Sequence, residues 1–308
     1  MAASRILVGY DGSPHAEDAL ALARVIAAAT GAEIVLARIV PWDPLFVSAV
    51  PRSELRAHYE ERERAVLAEL QQVADRNGVA AEAAPGTSTA QGLNDLVEEL
   101  EPDLVVVGSS HRGTVGQVLA GNVGLRLLNG LDRPLAVAPA GYAERDAALR
   151  TIGVGFDGSP QSHVALQAAG RLASASGAEV EVIAVAIPHA ELTPHPWAFA
   201  WGAGAVRDDL DERVRGRLES AAGNLPRGVR HSEQLHTGAP TAVLLDAAGH
   251  LDLLVVGSRA YGPACRLLLG SVSGQIVREA RCPVLVVPRS AEREREPFPA
   301  SAEDAAPA

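Results

Sequence analysis

The stretch LDLLVVGSRAYGPACRLLLGSVSGQIVREARCPVLVVP, from Leu251 to Pro288, carries the plan of the whole chain. It reads as a buried strand over Leu253–Val256, a glycine-bearing loop from Gly257 to Gly270, a helix opening at Ser271, and a second buried strand over Val284–Val287. The same grammar stands earlier as DLVVVGSSHRGTVGQVLAGNVGLRLLNGLDRPLAVAP, from Asp103 to Pro139. Gly108, Gly121 and Pro134 there match Gly257, Gly270 and Pro283 at one constant offset. A strand, a glycine loop and a helix N-terminus aim backbone N–H groups at one point, an arrangement suited to holding an anion.

Working outward, the repeat extends over both halves. Arg5 to Tyr10 is a short apolar run ending in Asp11-Gly12-Ser13-Pro14, and Thr151 to Phe156 is another, ending in Asp157-Gly158-Ser159-Pro160. Serine is a strong N-cap and proline suits the first helical position, so a helix follows each run, reaching Thr30 before Gly31 and Ser176 before Gly177. Strands follow over Ile34–Val40 and Val180–Ile187, each closed by a proline. A long charged helix is expected over Glu54–Asn77 and a counterpart from Val206 to Ala222, behind a loop that holds His189, His195, Trp197 and Trp201. Proline-rich spacing is no metal template, so that loop reads as a lid or interface segment. Third strands are expected over Val79–Ala84 and Arg230–Leu235, with helices starting from Gly86 and Gly238.

Alternating strands and helices with runs such as LVVV and LLVV predict an α/β fold with the sheet covered on both faces. The expected architecture is two tandem open five-stranded parallel sheets, Rossmann-like, with strand order 3-2-1-4-5. The domains are placed at residues 1–141 and 148–289, and the tail 290–308 reads as disordered. Ligands of such sheets bind beyond the strand C-termini where strand order reverses, between strands one and four. Asp11 with Gly108, and Asp157 with Gly257, meet at those points.

Composition narrows the function. A net charge of −11 over 308 residues disfavours nucleic acid and anionic lipid as partners. No apolar run approaches the roughly 18 residues of a membrane span, and no signal peptide precedes Arg5, so a cytoplasmic protein is expected. Cys265 and Cys282 read as packing residues. All 27 basic residues are arginines. A P-loop, a protein kinase and a pyridoxal enzyme each need a lysine, so those classes are out. The match Gly153-x-Gly155-x-x-Gly158 imitates a dinucleotide fingerprint, but Gly153 lies inside the strand and no acidic residue closes strand two. No G-x-S-x-G elbow exists. Asp11 and Asp157 have a plain alternative role, the Asx-turn before Gly-Ser-Pro.

Gly257, then Ala260 after two residues, then Gly270-Ser271 after nine more, resembles the nucleotide-binding signature of the universal stress protein family. The two Asp-Gly-Ser-Pro turns and the ending Cys282 to Val287 resemble it as well, and the likeness spans both halves. It implies bound ATP, with Mg. Gly155 and Asp157 would meet the adenosine end and the backbone of Ala186 the adenine, while Gly257, Ser258, Arg259, Gly270, Ser271, Val272 and Ser273 would hold the phosphates. The corresponding first-half contacts are Gly9, Asp11, Ile39, Gly108, Gly121 and Asn122. That copy departs more from the pattern, with His111 at the small-residue position, Asn122 for the hydroxyl and Gly124 opposite Ser273, though Gly113 and Gly116 keep its loop glycine-bearing. The resemblance implies a regulatory nucleotide binder with at most slow turnover, the two halves pairing internally as a pseudo-dimer and whole chains free to pair further as a homodimer. The alternative is a scaffold of the same fold that binds no nucleotide and acts by association. An adenylyl- or hydride-transfer enzyme has no catalytic residue here to carry it.

Overall fold

Each half opens with a buried strand whose Asp-Gly-Ser-Pro end launches a helix, and the local chemistry of that launch is the same twice. Ser13 and Ser159 stand in extended backbone, and their hydroxyls accept from Ala16 N at 3.3 Å and Ser162 N at 3.2 Å. Both helices stop at a glycine in the left-handed region, Gly31 at φ 69° and Gly177 at φ 74°, conformations that a Cβ would strain. The structure is a computed structural model of the chain and describes residues 4–42, 52–110, 116–118, 120–128, 130–186, 214–258 and 270–288. The expectations for Arg259, Ala260, Cys265, His111, Gly113, the His- and Trp-bearing loop and the tail fall outside the described residues.

The first half runs β1 (Arg5–Gly9), α1 (Pro14–Thr30), β2 (Glu33–Pro41), α2 (Arg52–Asn77), β3 (Ala80–Gly86), α3 (Thr89–Leu100), β4 (Leu104–Gly108), α4 (Asn122–Leu128) and β5 (Leu135–Ala138). A 3-10 turn, Tyr142–Glu144, sits in the link. The second half runs β6 (Thr151–Phe156), α5 (Pro160–Ser176), β7 (Glu179–Ala186), α6 (described over 214–222), β8 (His231–Thr237), α7 (Pro240–Ala247), β9 (Leu253–Gly257), α8 (Ser271–Glu279) and β10 (Val284–Val287).

Each half has the expected 3-2-1-4-5 order of parallel strands, but the two sheets are continuous. The full order is β3-β2-β1-β4-β5-β10-β9-β6-β7-β8. The join is antiparallel, with Val284 opposite Val137, Leu285 opposite Ala136 and Val286 opposite Leu135. These six residues are all 0% exposed, so the seam lies inside the core. One core fills the face under α1, α2, α5 and α6, and a second fills the face under α3, α4, α7 and α8. Each core draws on both halves. An aspartate before the fourth strand clamps the start of the first in each copy: Asp103 Oδ2 accepts from Arg5 N at 2.9 Å, and Asp252 Oδ2 from Thr151 N at 2.9 Å.

Two details depart from the sequence reading. Gly86 and Gly238 do not open helices: Gly86 ends β3, and the helices start after Ser88 and Ala239. Gly86 is needed for closeness, since a Cβ there would lie 2.8 Å from Ile39 Cγ2. The strand register also moves one correspondence. Gly9 stands opposite Ala37 and Gly155 opposite Ile183, so the counterpart of Ala186 is Val40, one residue beyond Ile39. A shift of one reverses the face of the sheet, and Ile39 points into the α3 side, against Gly86 and Gly92.

The link is held by a buried acid. Asp18 on α1 is 3% exposed, and its carboxylate accepts from Gly141 N at 2.9 Å and Ala143 N at 2.8 Å. Tyr142, tucked between these groups and the second half, has its phenol pushed from 10.0 up to about 12, chiefly by burial. Burial likewise pushes the Cys282 thiol from 9.0 up to about 12, which makes it the inert packing residue expected.

Asp18→Ala leaves two amide donors without their acceptor and should cost about 2–4 kcal/mol in urea unfolding; a loss under about 0.5 kcal/mol would mean that water takes the carboxylate's place without penalty. The folded chain keeps protons on Cys282 and Tyr142 that the unfolded chain releases at lower pH. Stability should therefore fall as pH rises from about 9 toward 12. Cys282→Ala should flatten the slope of urea midpoint against pH between about 9 and 12, and an unchanged slope would remove the thiol from this account.

Candidate functional site

The crevices beyond β1/β4 and β6/β9 are shaped first by what is missing at two glycines. A Cβ on Gly108 would lie 1.9 Å from the carbonyl oxygen of His15, and one on Gly257 2.7 Å from that of Gln161. Strand four in each half thus ends directly beneath the first turn of α1 or α5, and only glycine permits the approach. These glycines have a packing reason whatever they bind.

The aspartates make the turn that their sequence context suggests. Asp11 Oδ1 accepts from Ser13 N and Asp157 Oδ1 from Ser159 N, each at 2.9 Å, and both side chains are exposed at the crevice mouth. The space beside Gly155 faces Leu244 of α7, whose Cδ1 would be 3.1 Å from a Cβ, and Gly9 faces Leu93 and Val107 similarly. The carbonyl of Ala186 already accepts from Gly238 N at 3.0 Å. Gly153 is accounted for by packing, since Leu251 Cδ1 would lie 2.2 Å from its Cβ, so the imitation fingerprint has a structural cause.

The N-terminus of α8 differs from those of α1, α3 and α5, which serine side chains cap. Its N-cap is Gly270, in extended backbone at φ −69°, with no side chain to turn inward. Ser273 braces the turn from inside: it is 5% exposed, and its Oγ accepts from Gly270 N at 3.0 Å. Ser273 thus accepts from the loop end, and its O–H proton remains available for a further bond. The N–H groups of Ser271, Val272 and Ser273 have no intrahelical partner by geometry, and none is found for them among the described residues. Ser271 is exposed. Nearby in the chain, Ser258 is fully buried with its hydroxyl unpaired among the described residues, whereas its counterpart Ser109 donates to Ala138 O at 2.7 Å. A buried hydroxyl without a partner is costly unless something else supplies one.

The first-half loop ends on its own glycine. Gly121 lies against Ser110, 3.1 Å from its Cβ if a Cβ were added, and Asn122 opens a helix of seven residues against nine in α8. No serine stands where Ser273 braces its turn; that place is Gly124. Three of its described amides have distant partners. Gly116 N donates to Ala140 O at 2.7 Å, Val118 N to Ala280 O at 2.7 Å, and Ala120 N to Val277 O at 2.8 Å. Three described amides of the first-half loop are thus tied to the link and to α8. Sequence reasoning had no signal for this, because each acceptor lies far along the chain or in the other half.

The mouths differ in charge too. Beside β1, the Tyr10 hydroxyl donates to Glu17, whereas the same positions beside β6 hold Phe156 and His163, ring centroids 5.0 Å apart and perpendicular. Together with Gly158, Arg217 and Ser220 these rings border a cleft of about 390 Å³ on the α5 side of the Asp157 turn. Among the described residues no group of three or more acidic, histidine or cysteine side chains could hold a metal, and no helix is long and apolar enough to cross a membrane.

The universal stress protein family model matches the chain twice, over residues 3–139 and 148–288. A universal stress protein of Mycobacterium tuberculosis is 33% identical over 206 residues, 65% of this chain and 69% of that one. A crystal structure of a universal stress protein from Archaeoglobus fulgidus has the same fold, with a TM-score of 0.62 at 18% identity, covering 94% of this chain and all of that one. A solved universal stress protein in complex with cAMP is 29% identical, matching 46% of this chain and 98% of its own at a TM-score of 0.30. With its family domain present in both halves, the chain belongs to the universal stress protein family.

Proposed function

We propose that this protein is a nucleotide-binding regulator in the response to stress, holding ATP in the second-half crevice. The observation that carries the reading is the open first turn of α8. Three amides there point outward from a helix whose dipole favours an anion, and glycine at the N-cap keeps any side chain from competing. The buried hydroxyl of Ser258, at the other end of the loop and without a partner among the described residues, supports the same reading. Asp157, exposed at the crevice mouth, would meet the adenosine end. Mg would arrive on the phosphates, as it usually does, because no carboxylate cluster among the described residues offers a cage of its own.

Binding rather than turnover fits the chemistry at hand. With no lysine in the chain, amides, hydroxyls, the helix dipole and Arg259 would carry the phosphate interactions, and these hold a ground state as well as a transition state. For the first half a structural role is favoured, since the amides of Val118 and Ala120 already serve α8. The expected stoichiometry is one nucleotide per chain.

Heat-denaturing the purified protein and separating what it releases should yield ATP or ADP near one equivalent; none, even after soaking with Mg-ATP, would reject the proposal. Gly270→Asp gives α8 a better cap yet sets a carboxylate against the phosphates, so it should weaken Mg-ATP binding by tenfold or more, at roughly unchanged thermal stability. Ser271→Ala should weaken it about three- to fivefold, and Asn122→Ala should leave it unchanged. Equal losses from Asn122→Ala and Ser271→Ala in titration calorimetry would move the site or double it.

A further inference from the structure

Helix α8 has a different duty at each end. Its first turn faces the second-half crevice, while its last carbonyls hold the glycine loop of the first half. The last carbonyls of a helix have no partner within it. Here the carbonyls of Val277, in the last turn, and of Ala280, the C-cap, residues that are 0% exposed, accept from Ala120 and Val118, which are 4% and 0% exposed. Neither side can part without burying unpaired polar groups, and no water could take their place in so closed a contact. The same loop is tied at its start by Gly116 N to Ala140 O, and Ala140 N returns a bond to Gln117 O at 3.3 Å. It has no other described backbone anchor of this kind.

α8 is nine residues, about 13 Å from end to end, and two and a half turns rarely fray at one end without loosening at the other. We propose that α8 couples the two crevices: whatever steadies its first turn at the second-half site also steadies the first-half glycine loop, through the carbonyls of Val277 and Ala280. The first-half loop is then the readout of the second-half site. Linkage requires the converse, so a first-half loop held in place favours ligand at α8. The route is a contiguous one, a single short helix with a crevice at its first turn and two buried backbone hydrogen bonds at its last. The ligand arm of the test rests on the nucleotide reading above, and the first arm does not.

The test is amide hydrogen exchange on the full chain, resolved at single residues. In the first arm, without ligand, Ser273→Ala removes the acceptor of Gly270 N and loosens the turn. Exchange at Val118 and Ala120 should quicken about fivefold, the effect of losing one cap, while Val105–Val107 of β4 stay as they were. Faster exchange at Gly270 with none at Val118 or Ala120 overturns the coupling. In the second arm Mg-ATP is added to the unaltered protein. Slower exchange at Ser271–Ser273 and also at Val118 and Ala120 supports both ideas, and slowing at Ser271–Ser273 alone overturns the coupling. No slowing at either place overturns the nucleotide reading, and the first arm then decides the coupling by itself.

Discussion

The antiparallel pairing of β5 with β10 is the contact on which the rest depends. Three residues on each side, all fully buried, turn two five-stranded sheets into one of ten strands. Without that join Leu135, Val137, Leu285 and Val287 would line exposed edges, and a bare edge strand is a template for unwanted pairing. With it, the least protected edges are β3 and β8, at opposite ends of the sheet and only half-buried. The seam also sets α8 close to the first half, so that the loop before α4 can reach it.

Much of this architecture could be read from residues that act locally. Ser13-Pro14 and Ser159-Pro160 mark helix starts because cap and φ preference are properties of one or two residues. Gly31 and Gly177 mark the ends for the same reason. Strand order is legible in the α/β alternation. Misreadings came where the determinant was a distant atom. Gly86 looked like a helix start but exists to let Ile39 close upon α3. Ile39 was paired with Ala186 because spacing alone cannot say which strand residue faces which, whereas the ladder gives Val40.

The candidate site shows the same division more sharply. The glycine loops were legible as a repeated motif, and α8 does present an open first turn. That Ser273 would accept from Gly270 was not legible, nor that Val118 and Ala120 would give their amides to Ala280 and Val277. Asp18 is the extreme case. Inside an alanine-rich helix it reads as a surface charge, yet its partners Gly141 and Ala143 come more than a hundred residues later. Hydrophobic periodicity cannot forecast a buried acid whose purpose is to fasten a linker.

The link that Asp18 fastens changes what substitution can do to this molecule. Were the two domains separate identical chains meeting at the same seam, any altered residue would appear on both sides of the axis, and damage to one loop would be damage to both. Joined in one polypeptide, each copy can vary alone. His163 can stand where the other half keeps Glu17, and Gly124 where the other keeps Ser273, with the shared sheet unharmed. Tethering also removes dilution from the partnership: the halves meet at an effective concentration set by a short link, so their pairing is indifferent to how many molecules surround them.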